Sequence, residues 1–268
     1  MQPEIHLGPL TLQTFGIMFA LGFIAAGTLV ALRLRELGRP VDWAYEMIFA
    51  ALLGGIVGSR LDFIIENYDS VKDDLLGNVF SGAGLVWYGG AIGGAIGVLL
   101  WARWRRMLNV TLLDVCAPGL AIGYAVGRIG CQLSGDGDYG IPWDGPWAMA
   151  YPNGTVPTDI PVHPTPIYET IAMGLVAYTL WRLRDMFRPG LLFASYLVLA
   201  GAERFLIEFI RRNDDVALGL TQAQVLSVAM IVAGGVWLAR AARRDGLWAA
   251  EDVRGSPAAR LERAAPAG

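Results

Sequence analysis

Seven apolar runs, near residues 12–32, 43–65, 84–104, 112–128, 165–183, 190–210 and 222–240, dominate this chain. A membrane hydrocarbon core of ~30 Å takes ~20 helical residues to cross, and the runs approach that length, the fourth being the shortest. A backbone crossing lipid must satisfy its own N–H and C=O groups, which for runs like these leaves helices. The predicted fold is therefore all-α: a polytopic membrane helix bundle with about seven transmembrane helices. A hydrophobic content of 54% against 17% charged residues, with a mean hydropathy of +0.45, points the same way.

Charge between the runs predicts orientation. Arg33/Arg35/Arg39, Arg103/Arg105/Arg106, Arg182/Arg184/Arg188 and Arg240/Arg243/Arg244 follow the first, third, fifth and seventh runs. Segments 66–83 and 129–162 carry Asp69, Asp73, Asp74, Asp136, Asp138, Asp144 and Asp159 against the single Lys72. By the positive-inside rule the N-terminus lies outside and the C-terminus in the cytoplasm, which needs an odd number of crossings. The first run has arginines after it and no basic stretch before it, the reverse of a cleavable signal peptide, so it is expected to stay as a helix.

The expected organisation is a transmembrane domain over 1–245 and a polar Ala/Arg/Glu-rich cytoplasmic tail over 246–268. Segment 129–162, rich in Pro, Gly, Asp and Trp, is expected to fold over the outer mouth as a loop, with Trp143, Trp147 and Tyr151 at the interfacial level. Glycines at three- and four-residue spacing (Gly54 and Gly58; Gly89, Gly93 and Gly97; Gly119, Gly123 and Gly127) share helix faces and predict close backbone packing. Cys116 and Cys131 would sit ~20 Å apart along one helix, too far for a disulfide. Nothing resembles a nucleic-acid-binding surface, and neither a metal nor a cofactor is implied.

Four segments carry candidate chemistry. In the sixth run Arg204, Glu208, Arg211 and Arg212 fall at i, i+4, i+7 and i+8 on one face. Intramembrane ionisable groups are costly and mark function by default; the structural alternative is an Arg204–Glu208 pair with Arg211 and Arg212 snorkelling to the outer interface. The segment from Gly127 to Gly140 sets Arg128 beside glycines, suited to cradling a phosphate, or merely anchors a helix end before a Gly/Asp turn. His163-Pro164-Thr165-Pro166-Ile167-Tyr168-Glu169 opens the fifth run. A histidine side chain is a ready proton carrier near neutral pH; the alternative is that the prolines only start the helix and Glu169 braces Arg128 or Arg204. Tyr88 begins the third run with a hydroxyl, a weak base unless perturbed, while Arg60 and Asp62 pair structurally or extend the cationic site.

In this order, Gly84-Leu85-Val86-Trp87-Tyr88-Gly89-Gly90, Gly127-Arg128-Ile129-Gly130, His163 to Glu169 and Glu203-Arg204-Phe205-Leu206-Ile207-Glu208-Phe209 resemble prolipoprotein diacylglyceryl transferases, bacterial inner-membrane enzymes. The resemblance implies transfer of the diacylglyceryl group of phosphatidylglycerol to the lipobox cysteine thiol of a prolipoprotein signal peptide. A thioether forms and glycerol 1-phosphate leaves, at a site on the periplasmic or extracellular side of the lipid bilayer. It implies that Arg128 binds phosphatidylglycerol and that Arg204 and Glu208 are an essential pair. Gln132, Gly140 and Arg60 join Arg128 and Arg204 as expected lipid contacts, and Tyr88, His163, Asp136 or Glu208 is expected to supply or orient the base. The sequence departs from the family pattern at Tyr88, where many members have His, at Cys131 and Ser134, often Asn, and at Phe15, often Tyr; the loop from Gly135 to Gly140 is one residue longer. Two other classes of answer are a small anion or lipid transporter and a non-catalytic lipid-binding paralogue. The clustering of ionisable groups at the outer ends of the runs argues against the transporter.

Overall fold

The computed structural model describes residues 1–68, 87–217, 219–244 and 246–249, with the backbone alone for Leu7, Leu10, Trp87, Tyr88, Asp215 and Ala217. The acidic segment at Asp69, Asp73 and Asp74, the motif residues Gly84 to Val86, the side chain of Tyr88 and nearly all of the 246–268 tail lie outside the described residues.

Seven long helices form among the described residues: α1 (Thr14–Glu36), α2 (Asp42–Glu66), α3 (Trp87–Trp104), α4 (Val110–Ser134), α5 (Thr165–Leu183), α6 (Leu191–Ile207) and α7 (Gln222–Arg244). The mostly helical architecture is borne out, and α1, α2, α4 and α7 are each long and apolar enough to cross a membrane. Large apolar side chains such as Ile24, Phe49, Ile92, Leu100, Ile171 and Leu206 are exposed, the inverse of a water-soluble surface.

The structure departs from the sequence expectations in two places. The fourth run, the shortest by hydropathy, becomes one of the two longest helices, running through Arg128 to Ser134. The apolar count stops at Arg128, but the helix needs only satisfied backbone groups. Asn109 accepts from Leu112 N–H at its start, and Gly135, left-handed at φ 59°, ends it by donating to the Cys131 carbonyl. Three short antiparallel hairpins also form among the described residues: β1 (Glu4–Leu7) with β2 (Leu10–Gln13), β3 (Met149–Tyr151) with β4 (Thr158–Val162), and β5 (Asp215–Ala217) with β6 (Leu220–Thr221). They lie at the end of the bundle opposite the arginine clusters, called here the loop end; the other is the basic end.

Glycine determines how closely α2 and α3 approach. A Cβ on Gly54 or Gly58 would lie 2.2 Å from the Gly93 or Gly89 carbonyl oxygen, so side chains are excluded from this seam. A core at the basic end joins Leu34, Met47, Trp101 and Leu112, and a second, with Ala121, Met173, Ala177 and Leu192, packs α4, α5 and α6 together. That second core holds α4, α5 and α6 side by side.

Candidate functional site

The three helices converge on Glu169, the fifth residue of α5, whose side chain is fully buried. Pro164 caps α5 and Pro166 lies in its first turn, so the prolines do start this helix and so fix the height at which Glu169 enters it. Two guanidiniums reach it from opposite sides. Arg128 Nε on α4 lies 3.2 Å from Glu169 Oε2, and Arg204 Nη1 on α6 lies 3.1 Å from Oε1. Tyr124, one turn before Arg128, donates its hydroxyl to Glu169 Oε1 at 2.8 Å, and its ring lies 4.9 Å beneath the Arg128 guanidinium.

Past Ile207 the backbone tightens into a 3-10 turn over Glu208–Ile210. This turn directs Glu208 and Arg211 back toward the same centre. Arg204 Nη2 contacts Glu208 Oε2 at 2.8 Å, while Thr221 donates to Glu208 Oε1 at 2.8 Å and Asn213 also bonds it. Arg211 pairs with Asp138, and its Nη1 lies 3.5 Å from Glu169 Oε2. Asp138 bonds both Arg128 and Arg211. Burial would raise the Asp138 carboxyl, but these two guanidiniums hold it at about 2, well below the ordinary range.

The result is a cluster of three arginines and three carboxylates, formally neutral, with Glu169 and Glu208 wholly buried. The Arg128 and Arg204 side chains keep 15% and 23% of their surface open. Such a cluster offers oriented N–H donors rather than excess charge, and each carboxylate holds a guanidinium in place for an incoming anion.

Of the residues singled out in the sequence, the structure unites Arg128, Glu169, Arg204, Glu208 and Arg211. Asp136 lies close by: its carboxylate accepts from Asp138 N–H at 3.3 Å and comes within 4.8 Å of Cys131 Sγ and the Asp138 carboxylate. Those three groups could approach a cation, but Asp138 is already bonded to Arg128 and Arg211. Gln132 turns elsewhere, accepting from Tyr151 O–H at 2.8 Å and so supporting β3. His163 stacks on Trp143 with centroids 4.3 Å apart and lies 3.3 Å from the Tyr168 hydroxyl; no contact of the described residues joins its ring to the cluster. Gly140 acts as a spacer. Its N–H donates to the His163 carbonyl, and an added Cβ would lie 2.3 Å from the Ile210 oxygen. Arg60 is buried on α2, and Asp62 accepts from Gly89 N–H at 2.8 Å, capping α3. The side chain of Tyr88 lies outside the described residues.

One expectation and one alternative reading need correction. Gly127 and Gly130 do not present free amides beside Arg128, because both lie within α4; a Cβ on Gly130 would instead press on Met18 of α1 at 3.0 Å. Arg211 does not snorkel. Its side chain is 7% exposed and faces three carboxylates. Sequence reasoning passed over Asp138 and Tyr124. The i, i+4 spacing of Tyr124 and Arg128 was the signal for one, whereas Asp138 had none, being one of two acids in a Gly-rich turn.

A family model described as prolipoprotein diacylglyceryl transferase matches residues 3–240. The chain is similar to the phosphatidylglycerol–prolipoprotein diacylglyceryl transferase of Dehalococcoides mccartyi, 35% identical over 234 residues covering 84% of this chain and 87% of that protein. It is likewise similar to the proteins of the same name from Clostridium tetani, at 33% identity covering 87% and 95%, and from Cupriavidus metallidurans, at 34% covering 90% and 93%.

Proposed function

The chain belongs to the prolipoprotein diacylglyceryl transferase family, and from that premise we propose that the Arg128–Arg204–Glu169 cluster is where it moves a diacylglyceryl group from phosphatidylglycerol to a prolipoprotein thiol. The protein is a membrane transferase. The observation that carries the assignment is the meeting of two partly open guanidiniums, from different helices, on one buried carboxylate.

In the proposed reaction the lipobox cysteine sulfur attacks the C3 carbon of the lipid's glyceryl unit. A C–S bond forms, the C–O bond to phosphate breaks, and its electron pair leaves on the phosphate ester as glycerol 1-phosphate. Arg128 and Arg204 stabilise charge developing on that ester, and Glu169 and Glu208 keep both guanidiniums from reorganising during the step. The thiol must also lose a proton. Asp138, Glu169 and Glu208 are poorly suited to take it, since each is bonded to arginine. Asp136 has no guanidinium bonded to it among the described residues and lies beside Cys131, so we assign it the proton.

We further propose that all seven helices cross the bacterial inner membrane. The basic end then faces the cytoplasm, and the cluster and N-terminus face the outside, as the arginine alternation implies. Residues 1–245 would form the catalytic domain and 246–268 a cytoplasmic tail.

Purified protein given phosphatidylglycerol and a lipobox peptide tests the reading. The expected products are a thioether-linked diacylglyceryl peptide and an equivalent of glycerol phosphate, with neither formed from a Cys→Ser peptide. Anion flux through liposomes without any such product would favour a transporter.

A further inference from the structure

Asp114 lies near the basic end of α4, yet its carboxylate serves α6. Oδ2 accepts from the Gly190 N–H at 2.6 Å and Oδ1 from the Phe193 N–H at 2.9 Å. The first amides of a helix have no intrahelical partner, and Gly190, left-handed at φ 87°, supplies no side chain to cap α6. The cap therefore comes from a neighbouring helix. Gly190 cannot readily be replaced, since a Cβ there would meet Val110 at 3.2 Å and the Trp237 ring at 2.7 Å.

The two helices run in the same direction, and the chain distances match. Arg128 follows Asp114 by fourteen residues, and Arg204 follows Gly190 by fourteen. At ~1.5 Å per residue both arginines stand ~21 Å above the same tie. They meet there on the two oxygens of Glu169, at 3.2 and 3.1 Å. α6 packs mainly on α7 and α5, and the Asp114 carboxylate ties its first turn directly to α4.

We infer that Asp114 is a positioning residue for transfer: by capping α6 from α4 it sets the two helices in register, so that Arg128 and Arg204 reach the lipid phosphate at one level. This rests on the assignment of those arginines to the reacting site. A slip of ~1 Å is enough to lower the rate of a pre-organised site severalfold to a hundredfold.

The test is a double-mutant cycle on purified protein with phosphatidylglycerol and a lipobox peptide, together with unfolding midpoints in detergent. Asp114→Ala is expected to lower kcat at least tenfold in the wild-type background and less than twofold in Arg204→Lys, where the level of the guanidinium is already lost. Asp114→Asn, whose amide oxygen can still accept one N–H, should recover part of the rate, and it replaces the alanine variant in both backgrounds should that one not fold. Equal losses in both backgrounds, or a lowered midpoint with unchanged kcat, would overturn the inference and leave Asp114 a structural cap. Full activity of Arg204→Lys and Arg204→Ala would instead remove the underlying site assignment, whatever Asp114 does.

Discussion

Both ends of the bundle hold an arginine–carboxylate network, and the two are built differently. At the basic end Arg33 bonds Glu36 and Asp185, each at 2.8 Å, and Arg184 grips Glu36 through Nε and Nη2 at 2.9 and 2.7 Å. Glu36 and Asp185 retain 25% and 17% exposure. At the loop end Glu169 and Glu208 retain none, and their guanidiniums are shared rather than gripped. The first arrangement clamps α1 to the end of α5. The second buries carboxylates completely while leaving two guanidiniums partly open, a poor bargain for stability alone, since buried ion pairs rarely outdo apolar packing. Arginine in a membrane helix thus becomes informative when its partner is buried deeper than it is.

The sharpest way to break this contrast is to remove one arginine from each end. Arg204→Ala and Arg128→Ala are each expected to lower transfer about 10²- to 10³-fold or more, the scale of losing a transition-state donor, with the protein still folded. Arg184→Ala should keep the rate per folded molecule within about twofold while costing about 1–3 kcal/mol of stability. Transfer assays paired with unfolding midpoints separate the two. Glu169→Gln keeps the shape but strips the charge that three guanidiniums share, and a fall in kcat of about tenfold or more is expected.

Gly140→Ala sharpens the contrast from the loop side. Its Cβ would press on the Ile210 carbonyl at 2.3 Å, and the overpacking should cost about 1–3 kcal/mol and shift Asp138 away from Arg211. Asp138 predicts a pH signature. Its folded carboxyl is held at about 2, so its stabilising effect is fully present above the ordinary carboxylate value of ~3.9 and is lost as pH falls toward 2. Wild type and Asp138→Asn should accordingly differ in unfolding midpoint at pH 7 and converge at pH 2–3. Arg212→Ala is the smallest effect: the side chain lies 4.5 Å over the Tyr139 ring, outside the cluster, and activity should fall no more than about threefold.

Much of this was legible in the sequence, because lipid imposes the pattern. The apolar runs located seven helices to within a few residues at most ends, since long apolar runs of this kind satisfy their backbone groups as helices. The exception was α4, where Arg128 halted the apolar count two turns before Gly135 ends the helix. Arg204 and Glu208 were legible as charges in an apolar run at i, i+4. Glu169 was legible as a brace for Arg128 or Arg204; that it holds both at once was not, because that depends on three helices meeting at one height. Arg211 was legible on the same face at i+7, though its pairing with Asp138 past the 3-10 turn was not. Nor was the setting of His163, since a histidine beside a helix start carries no mark of the indole that it stacks on.

The most direct test of the central contrast is to cross-link a photoactivatable phosphatidylglycerol, reactive at its headgroup, to the protein in bilayers and map the adducts by mass spectrometry. Adducts on 128–140 and 204–212 that are lost in Arg128→Ala are the predicted result. Adducts confined to the basic end, around 33–36 and 184–188, would contradict it.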